Sequence, residues 1–117
     1  MSDQVITGED YTVTYSTSNS TFIFQGALAL RGPQEYEVIN QLLNEIVDTE
    51  PPILTIDLKA LSFLNSSGIS MLSKFVLGLR KKKSTQLVIL GSDEMPWQGK
   101  SLKNLQKFLP SLRLEVE

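Results

Sequence analysis

The chain has 117 residues, 41% of them hydrophobic, and its eleven basic and thirteen acidic side chains leave a net charge of −2. That length holds one domain with a real core and not two independent ones, and the near balance of charge gives no electrostatic case for nucleic acid or an anionic membrane as principal partner. With neither cysteine nor histidine present, disulfides, thiolate nucleophiles, histidine general bases and zinc sites built on those ligands are closed. No catalytic residue, cofactor or metal site is expected.

Residues 1–10 read as a polar lead without the basic and apolar segments of a signal peptide, and no run approaches the roughly 18 apolar residues of a membrane span. The expectation is a cytoplasmic protein with no membrane insertion, its single domain running over 11–117. Tyr11 to Ser16 alternates and is rich in β-branched and aromatic residues, the pattern of a half-buried strand. Turn formers follow at 17–20, and Thr21 to Gln25 resumes strand character until Gly26 interrupts it. An antiparallel hairpin ending in a bulge or bend is predicted; residues 27–30 fit either an extension of it or a short loop.

Pro33 stands where a helix entrance tolerates its missing N–H. From there Tyr36, Ile39, Leu42, Leu43, Ile46 and Val47 recur at helical spacing, with Glu37, Asn40, Gln41, Asn44 and Glu45 opposite. Pro51 and Pro52 end this helix. Ile53 to Ile56 is a short apolar run typical of a central strand covered on both faces. Asp57 closes it, and residues 58–64 read as a loop leading to Asn65-Ser66-Ser67-Gly68.

A second helix is marked by Ile69, Leu72, Phe75, Val76 and Leu79 on its inner side. Gly78 inside it costs roughly 1 kcal/mol against alanine, which close packing would explain. The basic run at 80–83 suits the negative end of the helix dipole and reads as a solvated terminus. Gln86 to Leu90 is another buried strand. A third helix is expected between Gln98 and Leu109, with Leu102, Leu105, Phe108 and Leu109 inward and Lys100, Lys103 and Lys107 outward, stopped by Pro110. Leu112 to Val116 alternates as a final edge strand. The order β-β-α-β-α-β-α-β describes an α/β fold, a mixed sheet with parallel crossovers and helices packed against it.

Few stretches carry chemistry. Gly99-Lys100-Ser101 opens a helix after a strand, but a phosphate-binding loop would need glycine where Glu94 stands; the general affinity of a helix mouth for an anion is what remains. Trp97 reads first as a lid on the end of the sheet and second as a partner anchor. There is no Gly-x-Ser-x-Gly elbow, and a serine triad has no histidine to work with.

The stretch that stands out is Asp57 followed by Leu64-Asn65-Ser66-Ser67-Gly68-Ile69. It resembles the signature of STAS domains, specifically the bacterial anti-sigma-factor antagonists, in which a strand-ending Asp precedes an Asp-Ser-Ser/Thr-Gly loop that opens a helix. Nearly the whole chain fits the resemblance, which implies a STAS-like mixed sheet and a regulatory binding protein rather than an enzyme. It implies partner switching: association with a serine/threonine kinase or anti-sigma factor, phosphorylation of Ser66, and reset by a metal-dependent phosphatase. Asp57, Asn65, Ser67 and Gly68 then form the phosphosite loop, with Asn65 standing where the family usually has Asp. Asn keeps the capping ability and loses the charge.

The bland alternative is that Ser66 and Asn65 do no more than cap the helix. At about 100° per residue, Ser66, Ser70, Ser73 and Leu77 share one outward stripe bordered by Lys74 and Lys81, and Ser70, Ser73, Lys74 and Leu77 are the candidate partner-binding residues. A monomer or weak dimer is expected. The competing function is a constitutive scaffold or subunit of a larger assembly, for example transporter-associated, in which Ser66 is never modified.

Overall fold

The fold turns on one long strand that the sequence disguises as a strand and a loop. In the computed structural model, which describes residues 3–82 and 84–117, β4 runs without a break from Ile53 to Leu64. Met1 and Ser2 of the polar lead and Lys83 of the basic run lie outside the described residues. Leu54, Ile56, Leu58, Leu61 and Leu64 are all buried, so the inward spacing changes from two residues to three after Leu58. Two β-bulges cause that change. Where β3 (Thr21–Leu28) advances from Ile23 to Gln25, β4 advances from Asp57 to Ala60, and where β3 steps from Gly26 to Ala27, β4 steps from Leu61 to Phe63.

A bulge leaves backbone groups outside the ladder, and each must find a partner. At the first bulge the Asp57 carboxylate accepts the Lys59 N–H at 3.0 Å, and at the second the Ser62 hydroxyl donates to the Gly26 carbonyl at 3.0 Å. The expectation that Asp57 ends a strand and belongs to the phosphosite loop is therefore corrected: it lies in mid-strand, seven residues before Leu64, and serves the bulge. Gly26 is required on the facing strand. Its φ is +92°, and a Cβ there would stand 2.1 Å from the Asp10 carbonyl oxygen.

Among the described residues, six strands lie side by side in sequence order. β1 (Gln4–Thr7), β2 (Tyr11–Ser16) and β3 are antiparallel, while β3, β4, β5 (Gln86–Gly91) and β6 (Arg113–Val116) are parallel. The polar lead thus contributes an edge strand that its composition did not signal. The parallel connections carry α1 (Gly32–Asp48), α2 (Ser66–Gly78) and α3 (Gln98–Phe108). Because crossovers are right-handed and every step moves the same way across the sheet, all three helices fall on one face. The core fills the space between that face and the inner sides of the helices.

The opposite face of β4 is open, which corrects the reading of a strand covered on both sides; Ile53 is 56% exposed, and Thr55 and Asp57 are only half-buried. The predicted inner residues of α1 are all buried. In α2 Met71 joins the core and Ile69 is half-buried. Gly78 is the last residue of α2 with open space where its Cβ would be, so close packing does not explain it. Phe108 of α3, expected inward, is 38% exposed because Leu105 and Leu109 already occupy the inner positions on either side of it. The Trp97 indole packs on the core and donates to the Leu61 carbonyl at 2.8 Å, in keeping with a lid on the sheet.

Candidate functional site

β4 delivers the chain to the mouth of α2, where Asn65 is the N-cap in extended geometry (φ −77°, ψ 174°). Both polar atoms of its side chain are engaged. Oδ1 accepts the Gly68 N–H at 3.0 Å and the Tyr36 hydroxyl at 2.6 Å, while Nδ2 donates to the Leu30 carbonyl at 2.8 Å. Its backbone N–H donates to the Leu28 carbonyl at 3.1 Å. One amide therefore fastens the start of α2 to the end of β3, to the chain leading into α1, and to α1 itself. The Leu30 bond needs an N–H donor, which a carboxylate lacks. This gives a physical reason for Asn where the family pattern has Asp.

Tyr36 completes the clasp. The sequence shows it as one of six core residues on α1, yet a tyrosine among isoleucines and leucines carries a hydroxyl that must find a partner when buried. Burial raises its pKa above the ordinary phenol range, so it acts as a neutral donor. Gly68 fits beneath it: an added Cβ would lie 2.2 Å from Leu64 Cδ1 and 2.7 Å from the Tyr36 hydroxyl. The glycine of the loop is set by close approach, at an ordinary helical backbone.

With Asn65 doing the capping, Ser66 at the first helical position is exposed and its hydroxyl has no hydrogen-bond partner among the described residues. Ser67 is half-buried. It lines a groove of about 350 Å³ between α1 and α2 together with Tyr36, Asn40, Ser70, Met71 and Lys74. Along the outward stripe Ser70 is exposed and Leu77 is 40% exposed, and the ammonium of Lys74 has no carboxylate partner among the described residues. Ser73 is half-buried and its hydroxyl donates back to the Ile69 carbonyl at 2.9 Å. Of the residues singled out from the sequence, Asn65, Ser66, Ser67 and Gly68 converge on one helix mouth, Ser70, Lys74 and Leu77 extend from it along the surface of α2, and Asp57 stands apart.

Gln98 has no counterpart in the sequence reading. It is wholly buried at the start of α3, where Oε1 accepts the Ser92 N–H at 2.8 Å and Nε2 donates to the carbonyls of Leu58 at 2.6 Å and Leu61 at 3.1 Å. It ties α3 to the bulged part of β4, and nothing in its sequence context marks it as buried. The helix it opens, with Trp97 as an uncapped N-cap, is the mouth carrying Gly99-Lys100-Ser101.

A single mixed sheet with its helices layered on one face, and a small hydroxyl exposed at the mouth of the middle helix, define the α/β class of the domain. The STAS domain model matches residues 19–110, and the chain belongs to the STAS domain family. No curated protein matches the sequence. Among solved structures, the chain is similar to apo-SiaC from Pseudomonas aeruginosa at 13% identity, covering 100% of this chain and 99% of that one with a TM-score of 0.73. It is similar, also at 13% identity, to a chain in the complex of the diguanylate cyclase SiaD with its activator SiaC from Pseudomonas aeruginosa (97% and 99% covered, TM-score 0.71). A third neighbour is an anti-sigma factor antagonist from Mycobacterium paratuberculosis, with 21% identity, 95% and 83% covered, and a TM-score of 0.58. At these identities the likeness is one of fold.

Proposed function

We propose that the chain is a non-enzymatic regulatory binding protein, an anti-sigma-factor antagonist-like partner switch whose docking through α2 is controlled by phosphorylation of Ser66. The observation that carries this reading is the division of labour at the helix mouth. Asn65 makes the cap, which leaves Ser66 exposed with a hydroxyl that enters no hydrogen bond among the described residues. A serine there for capping alone would be redundant.

The chemistry of the switch follows from position. A phosphate adds about −1.5 to −2 charge and three strong acceptors. At a helix N-terminus the free N–H groups receive it within the protein, so modification need not disturb the fold. Against a partner fitted to a neutral hydroxyl the same group is crowded and desolvated; a penalty of about 3 kcal/mol costs more than a hundredfold in affinity. The partner on this reading is a serine/threonine kinase or anti-sigma factor, with a metal-dependent phosphatase resetting the site. Two of the structural neighbours support a protein-binding role, one being described as an activator in complex with its cyclase and another as an antagonist of an anti-sigma factor.

Intact-protein mass spectrometry on the chain isolated from cells tests the proposal. One phosphate that disappears in Ser66→Ala supports it. An unmodified Ser66 under every growth and stress condition would instead favour a constitutive scaffold.

A further inference from the structure

The three helices form a layer whose charges are sorted by helix. α1 carries Glu35, Glu37, Glu45 and Asp48 and no Lys or Arg, while α3 carries Lys100, Lys103 and Lys107 and no Asp or Glu. α2 lies between them, packing on both, and presents the small stripe of Ser66, Ser70, Ser73 and Leu77. Each helix also turns one large apolar side chain to solvent, Val38 on α1 at 59% exposure, Leu77 on α2 and Phe108 on α3. The order across the layer is acidic, small and basic.

That order is self-complementary under one particular two-fold. Rotation about an axis parallel to α2 lays the acidic helix of one copy over the basic helix of the other, twice, and brings the two small stripes together at the axis. Rotation about the perpendicular in-plane axis would instead oppose acid to acid and base to base. Only closed arrangements of this kind stop at a dimer. Lys74 leans off the axis toward α1, where it shares the groove with Glu37 and Asn40.

We propose that a second copy of this chain docks on the helix layer, forming a parallel two-fold dimer in which α1 faces the α3 of its partner and α2 faces α2. The occupant is chosen by charge: few protein surfaces match an acidic stripe and a basic stripe on either side of a neutral one, and this surface matches itself. Three helices of 17, 13 and 11 residues, at about 1.5 Å rise per residue and some 9 Å apart, offer a patch at the lower end of specific interfaces. The dimer is therefore weak and sensitive to salt. The match of charges does not rest on modification of Ser66, although the arrangement sets the two Ser66 side chains on either side of the axis, where two phosphates would repel.

Sedimentation equilibrium on the purified chain tests this. A dimer at low ionic strength should weaken roughly tenfold or more as salt rises through the range in which surface charges are screened. Lys103→Glu with Lys107→Glu should abolish it, and adding Glu37→Lys with Glu45→Lys to that variant should restore it, because reversing both stripes recreates the match. The absence of cysteine allows a direct check of the axis: Ser70→Cys should form an intermolecular disulfide and Lys103→Cys alone should not. A monomer at all salt concentrations would overturn the proposal. So would a dimer indifferent to these charge reversals, which would point to the open sheet face.

Discussion

Asn65→Asp is the smallest change that asks what the helix-mouth clasp contributes. It keeps the shape and the two bonds to Oδ1 from Tyr36 and Gly68. It replaces the Nδ2 donor, 2.8 Å from the Leu30 carbonyl, with an oxygen that cannot donate. Leaving a part-buried acceptor unpaired costs about 1–3 kcal/mol. A carboxylate at a helix N-terminus recovers about 0.3–1 kcal/mol. At mid-range values the difference is a net loss of about 1.4 kcal/mol, or roughly 6 °C in Tm for a domain of this size. Thermal unfolding of the two proteins at neutral pH and low salt measures it, with Asn65→Ala as a control that loses cap and tie together and should fall further. A variant as stable as the parent would mean that the dipole gain offsets the whole of the Leu30 bond, and the amide would need another explanation.

Other predictions follow from individual contacts. Tyr36→Phe removes the buried donor to Asn65 and should cost about 1 kcal/mol in chemical denaturation. Leu77→Asp, at an outward position on α2, should weaken partner capture in a pull-down while leaving the unfolding midpoint within a degree or so; unchanged capture would remove this stripe from the interface. Gly78→Ala, where nothing crowds the added methyl, should stabilise by up to about 1 kcal/mol, whereas Gly26→Ala should destabilise by at least about 2 kcal/mol through its left-handed backbone and the Asp10 carbonyl. Asp3, exposed and held below the usual carboxylate range by the Thr17 N–H and hydroxyl at 2.8 Å each, ties the start of β1 to the turn after β2. A carboxyl with a lowered folded pKa stabilises above its unfolded value and ceases to as pH falls through the folded one. Hydrogen-exchange protection in β1, relative to the intrinsic rate at each pH, should therefore fall in acid more than in the Asp3→Asn variant.

The helices and the hairpin were legible because their cores repeat at regular intervals, as the Tyr36 to Val47 series shows. β4 was not, because its two bulges break the two-residue alternation after Leu58 and make a continuous strand look like a strand and a loop. The same disguise made Asp57 look like the end of a strand in whose middle it lies. At the helix mouth the residue types pointed to Asn65 and Ser66, but their division of roles depends on Tyr36 and the Leu30 carbonyl, twenty-nine and thirty-five residues before Asn65. Sequence spacing carries no record of that meeting. Gln98 lies at the far limit of legibility, a polar residue in a lysine-rich segment whose burial arises only once α3 lands on the bulged strand.

The most direct measurement is the affinity of the native partner, recovered by affinity isolation, for two forms of the chain that differ only in phosphoserine at position 66. Tight binding to the unmodified form and a loss of about a hundredfold or more on phosphorylation are expected, with the fold intact in both. Equal affinity for the two forms would contradict it.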